Sequence, residues 1–169
     1  MKNIIALCCL LLATNLCYGQ LTWSKYTDPD HSFSILMPAT PTITSSIDTS
    51  TEMTDIGHVY ITGLIKDKYL FLVSTDDLGG TSKINVDGML KTNLTAFCTS
   101  SKTELIGSSD IMLGNSKGLQ FTSKNADGLF VGRIYIINRR LVCLAYVIKN
   151  EPKADPELEK FFTSFTVLK

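Results

Sequence analysis

Between Gly128 and Lys149 the chain reads GLFVGRIYIINRRLVCLAYVIK, two apolar runs rich in β-branched and aromatic side chains with Asn138-Arg139 between them. That pattern predicts a β-hairpin. Its turn lacks the usual glycine, so the turn type stays open. With Ile137 opposite Arg140, alternation puts Phe130, Gly132, Ile134, Ile136, Leu141, Cys143, Ala145 and Val147 on one face. Leu129, Val131, Arg133, Tyr135, Ile137, Val142, Leu144, Tyr146 and Ile148 fall on the other. Both faces are apolar, whereas a sheet solvated on one side alternates apolar and polar. The hairpin is therefore expected at the centre of a sheet covered on both sides. Gly132, Cys143 and Ala145 are small enough to admit a helix backbone, which assigns the main helix to the first face.

The rest of the chain supplies the partners. Leu21 to Pro41 reads as a short strand, a turn at Asp28-Pro29-Asp30 and a second strand from Phe33 to Met37, stopped by Pro38. Thr42 to Asp55 is polar and suits an exposed edge strand and loop. A second hairpin is predicted from His58–Ile65 and Tyr69–Thr75 around Lys66-Asp67-Lys68, and YLFLVST, apolar on both faces, again implies a central strand. After a loop over Asp76 to Ser82, Val86, Met89, Leu90, Leu94 and Phe97 form one apolar stripe of a helix over about Ile84 to Thr99, capped by Asn85 or Ser82. Short strands follow at Lys102–Ile106, Ile111–Leu113 and Gly118–Thr122, with a turn at Asn125 to Gly128. Asp155-Pro156-Glu157 begins a short helix reaching about Thr163, and Phe165 to Leu168 closes the chain as a strand. The predicted class is α+β: a twisted antiparallel sheet with one main helix and one short C-terminal helix packed on it.

Residues 1–19 have a lysine, an apolar core from Ile4 to Ala13 and a polar stretch ending in small Gly19, the layout of a secretory signal peptide. Its core, roughly ten residues, is half of what a membrane span needs. Cleavage between Gly19 and Gln20 would leave residues 20–169 as a single α+β domain with no transmembrane segment, exported to the periplasm or secreted. Cys17 follows a leucine-rich run, but Leu16 stands where a lipid-anchor signal carries a small residue. The full chain carries 16 basic and 16 acidic side chains, and cleavage removes only Lys2 among them. Such a balance gives no electrostatic basis for nucleic-acid binding. Of the five cysteines, Cys98 and Cys143 remain after cleavage. A disulfide between them is geometrically compatible with the helix-on-hairpin arrangement, and two buried free thiols are the alternative for a domain of this size.

The opening Trp23…Tyr26…Phe33-Ser34-Ile35…Pro38…Pro41 and the closing Phe161-Phe162-Thr163-Ser164-Phe165 resemble exported bacterial proteins of the PsbP-like or Mog1-like fold. The signal segment ending Tyr18-Gly19-Gln20 is similar to those of Bacteroidetes. The resemblance implies a twisted antiparallel sheet with helices on its faces, an α/β/α sandwich. It rests on structural aromatics and prolines, and such a fold does not by itself specify function.

Chemistry-bearing motifs are sparse. His31 with Asp28 and Asp30, and His58 with Asp55, could be drawn together as a two-histidine, one-carboxylate metal set, but turn and strand-end roles in water explain them as well. Asp76-Asp77 before Gly79-Gly80 lacks both calcium-loop spacing and the lysine of a phosphate loop. There is no Gly-x-Ser-x-Gly elbow, and Cys98 and Cys143 fall on apolar faces unsuited to a nucleophile. Arg133 is the one charged residue inside the central hairpin. With Tyr135, Leu144 and Tyr146 it could line a ligand cleft, or its stem could simply cover the sheet. No catalytic residue, metal or cofactor is assigned. The sequence is best read as a non-catalytic module that contacts an unidentified envelope or extracellular protein; a carrier of a small apolar ligand between sheet and helix is the alternative.

Overall fold

The computed structural model describes residues 21–48, 55–63, 68–78, 85–149 and 158–168. The proposed signal segment, the Asp155-Pro156-Glu157 helix start and the Lys66-Asp67 turn lie outside them. Strands β1 (Ser24–Thr27), β2 (Phe33–Met37), β3 (Thr42–Asp48), β4 (Asp55–Ile61) and β5 (Tyr69–Asp77) precede helix α1 (Val86–Ser100). Then come β6 (Glu104–Leu113), β7 (Ser116–Asn125), β8 (Gly128–Ile137), β9 (Arg140–Lys149), the short α2 (Glu159–Thr163) and β10 (Thr166–Val167).

The central hairpin forms as its pattern predicts, with Ile137 opposite Arg140. Asn138 and Arg139 both take positive φ, 49° and 64°, which makes the turn type I′, whose twist matches that of the flanking strands. The hairpin occupies the interior of a seven-stranded antiparallel sheet ordered β3-β4-β5-β9-β8-β7-β6. β5 lies between β4 and β9, the covered position its two-sided apolar pattern requires. On the first hairpin face, Ile134, Ile136, Leu141 and Cys143 pack with Leu119, Phe121 and the α1 residues Leu90 and Leu94. On the second face, Leu144, Tyr146 and Ile148 pack with Phe71, Val73, the α2 residues Phe161 and Phe162, and Phe33, Ile35 and Met37 of β2.

Several details differ from the sequence reading. The N-terminal hairpin is not part of the main sheet: β2 pairs with β1 on one side and with C-terminal β10 on the other, giving a separate three-stranded sheet. The first two short strands predicted after α1 are one strand, β6, interrupted between Leu105 and Gly107 by a bulge that fits an extra residue into the ladder, and the third, Gly118–Thr122, is the middle of the longer β7. Asp76 and Asp77 extend β5 instead of opening a loop, because they pair with Leu141 and Arg140. β4 begins at Asp55 and stops at Ile61, so the second hairpin is displaced toward the N-terminus. The small residue Gly132 accommodates a ring instead of the helix backbone: a Cβ there would run into Phe121, its cross-strand neighbour. Gly118 faces Tyr135 in the same way.

Helix α1 starts at Asn85, whose side-chain oxygen accepts from the Gly88 N–H at 3.2 Å. Its end has no glycine. Lys102 adopts φ 52°, and the N–H groups of Lys102 and Thr103 donate to the carbonyls of Thr99 and Cys98, a Schellman closure built on lysine.

Candidate functional site

The β1–β2 turn places Asp28 against the main sheet. His31 takes φ 54° and donates its N–H to the Asp28 carbonyl at 2.8 Å, which turns the chain tightly enough to bring Ser32 over the Asp28 carboxylate. The Ser32 hydroxyl donates to Asp28 Oδ2 at 2.6 Å, and the Tyr60 hydroxyl, from β4, donates to Oδ1 at 2.5 Å. Both Asp28 and Tyr60 are only 2% exposed. Burial pushes the Asp28 carboxyl upward, but the bonds from Ser32 and Tyr60 outweigh it and hold the group below its ordinary value. Burial and the Asp28 charge together push the Tyr60 phenol up.

Beside this cluster, β5 and β9 end in register, so Asp77 faces Arg140, and Arg140 Nε donates to Asp77 Oδ1 at 2.6 Å. A cleft follows the seam between the two sheets here. Its wider end, about 250 Å³, is walled by Phe33, Ile137, Val142, Phe165 and Val167. Its narrower end, about 140 Å³, opens on Asp28, Tyr60 and His58. Asp30, Ser32, Thr75, Asp77 and Arg140 line both.

The arrangement is poorly suited to nucleophilic catalysis. Ser32 and His58 share the narrow end, but the Ser32 hydroxyl donates its hydrogen bond to the Asp28 carboxylate and His58 Nδ1 is hydrogen-bonded to Ser45 at 2.8 Å, so no nucleophile–base bond joins them. Among the described residues no group of three or more His, Cys, Asp or Glu side chains is arranged to hold a metal ion.

The hairpin residues singled out from the sequence do share a face. Arg133 Nε donates to Gln120 at 2.9 Å, its Nη2 to Glu159 of α2 at 2.5 Å, and its guanidinium lies 4.6 Å from the Phe162 ring centroid. Tyr135, Leu144 and Tyr146 are buried, and Tyr146 stacks against Phe162 with centroids 5.2 Å apart. Helix α2 thus lies over Arg133 and its neighbours. Cys98 and Cys143 join the same cluster under α1 but are both free, so the bridge considered from the sequence is not formed. Cys98 sits at the partly exposed margin of the helix stripe and Cys143 within the sheet face. Sequence reasoning missed the seam cleft and the Asp28–Tyr60 bond, since residues 32 positions apart on unlike elements carry no shared local pattern. The Asp-Pro-Asp turn was visible, but its buried partner was not.

No family model matches the sequence, and no curated protein matches it. Among solved structures the fold is similar to the solution structure of cyanobacterial PsbP (CyanoP) from Synechocystis sp. PCC 6803, with TM-score 0.59 and 11% identity over 89% of this chain and 95% of that one. At that identity the likeness is one of fold: the chain has a PsbP-like α+β fold, a mostly antiparallel sheet with one main helix and a short second one.

Proposed function

We propose that the chain is an exported accessory domain that acts through protein contact and not through catalysis, released by cleavage between Gly19 and Gln20 as a single domain. The observation that carries this reading is β6. It is an edge strand of ten residues in the seven-stranded sheet, and it leaves Leu105, Ile106 and Met112 43%, 55% and 59% exposed. An exposed edge with apolar side chains is a template for strand addition unless something covers it. An extended segment of an envelope protein is the occupant it suits. The commitment of Ser32, Tyr60 and Asp28 to one another supports the non-catalytic part, and the packing of α2 over Arg133 favours contact over ligand carriage on that face. Among the described residues no helix is long and apolar enough to cross a membrane.

The test is cross-linking in the native host with wild type and with Ile106→Lys/Met112→Lys, both positions being solvent-facing and cheap to substitute. The wild type should give defined adducts that the double variant loses while keeping its melting temperature. Identical adducts from both proteins, or none from either, would overturn the reading.

A further inference from the structure

What can pair with the β6 edge follows from the turn that ends the strand. Gly114, at φ 57°, and Asn115 form a two-residue turn between Leu113 and Ser116. Such a turn closes on a hydrogen-bonded pair, so Leu113, Ile111, Ser109 and Gly107 direct their backbone groups to β7. Ser108, Asp110 and Met112 then turn their N–H and C=O groups outward. An added antiparallel strand must set outward residues opposite outward residues. When the added strand is β6 of a second copy, related by a two-fold axis, each allowed register is centred on one residue facing itself. Centring on Asp110 sets two carboxylates face to face; Lys117 acts on Asp110 but is bonded to Asp87 at 2.7 Å, so it does not neutralise that pair. Centring on Ser108 sets Met112 opposite Glu104, and centring on Gly107 sets Glu104 opposite Asp110. Centring on Ile111 leaves Ile106 beyond the strand of the second copy. Ser109 is the centre that suits every position: Ile106 comes beside Met112, Gly107 meets Ile111 and Ser108 meets Asp110, each twice by symmetry. Ile106 and Met112, at 55% and 59%, are the most exposed large apolar side chains among the described residues. Gly107 has open space where a Cβ would stand, and a depression of about 320 Å³ beside it, lined by Ile106, Ser109, Gln120 and Thr122, leaves room for the second copy's Ile111.

We propose that, when no other protein supplies a strand, the domain pairs with a second copy of itself through β6, antiparallel and centred on Ser109, and so covers its own apolar edge. The proposal rests on the reading of β6 as an edge open to strand addition and names its resting occupant. One strand pair is a small interface, so the dimer forms with a Kd of about 10–100 µM and gives way to a better-matched strand. Self-pairing is then a regulatory state of the contact surface, in which the edge is released by dilution or by competition.

The experiment is sedimentation velocity of the purified protein from about 1 µM to about 1 mM, over which the mass should rise from monomer to dimer. Ser108→Lys sets an ammonium opposite Asp110 at both ends and should tighten the dimer about fivefold, whereas Ser109→Lys sets two ammoniums face to face and should weaken it at least about tenfold. Both serines are exposed, and an unchanged melting temperature at about 1 µM establishes that each variant is folded. A disulfide assay reads the register directly, in a Cys98→Ser background. Ser109→Cys places facing residues at about 4.5 Å between Cα atoms and should form an intermolecular bridge in air, while the Ser108→Cys copies lie diagonally at about 7–8 Å and should bridge at least about tenfold more slowly. A monomer throughout the concentration range, a Ser109→Lys dimer as tight as wild type, or equal bridging rates at positions 108 and 109 would overturn the proposal. A monomeric purified protein whose adducts in the host contain another protein removes this proposal alone, and host adducts made only of second copies remove the envelope-partner reading alone.

Discussion

Asp28 is a buried charge stabilised by neutral donors, and that makes it a source of acid sensitivity. Its carboxyl titrates lower in the folded chain than in the unfolded one, so the unfolded state takes up the proton first as pH falls. The stability it contributes is complete above the unfolded value, about 4, and is lost as pH drops through the lower folded value. Tyr60 behaves in the opposite sense. Its raised phenol adds stability that is complete below about pH 10 and declines as pH rises beyond it. Tyr60→Phe is expected to cost about 1–3 kcal/mol at neutral pH, since it leaves a buried carboxylate one donor short. It should also flatten the alkaline limb, while Asp28→Asn flattens the limb below pH 4; urea denaturation across pH 2–11 reads both. Gly132 makes a second demand at this scale. Gly132→Ala would push a methyl into the Phe121 ring, at about 1–3 kcal/mol. Adding Phe121→Leu should recover part of that loss, and failure to do so in denaturant melts would show that the ring is not the obstacle.

Among the elements, α2 shows which kind of contact holds a short helix. Five residues are too few to be helical alone, so packing must supply the stability. Two interactions compete for the credit: the Arg133–Glu159 ion pair, whose Glu159 side chain is 49% exposed, and the fully buried Phe161 against Phe71 with ring centroids 5.1 Å apart. A half-exposed pair contributes under about 1 kcal/mol, whereas truncating a buried phenylalanine costs about 3–5 kcal/mol. Glu159→Gln should therefore leave hydrogen-exchange protection of the sheet nearly unchanged, and Phe161→Ala should lower it across β2, β5 and β9 together. The same hierarchy explains β10. Two residues of ladder are stabilised by Phe165, which packs on Phe33 of β2 at 5.7 Å, and by the Ser164 hydroxyl, which accepts from the Leu36 N–H at 2.8 Å.

Across the whole molecule, the seven-stranded sheet separates two cores: α1 covers one, and α2 with the three-stranded sheet covers the other. The thiols report on the first. Cys143 is buried and its thiol pushed up to about 12, so native alkylation at pH 8 should modify the partly exposed Cys98 and spare Cys143 until the protein unfolds. Equal labelling rates at the two sites would show that the α1 face opens readily. Much of this plan was legible beforehand, because periodicity reports how many faces of a segment are covered. The sequence by itself determined the central hairpin and its register, the interior place of β5, the α1 stripe of Leu90 and Leu94, and the face α1 covers. Tertiary structure alone decided that a separate three-stranded sheet joins the short C-terminal helix on the other face. It joined β2 to β10, closed Asp28 onto Tyr60, fastened Arg133 to α2 and opened the seam cleft. Each of those contacts links residues distant in the chain, and their pairing follows from how separate elements dock, which no local period of two or 3.6 residues encodes.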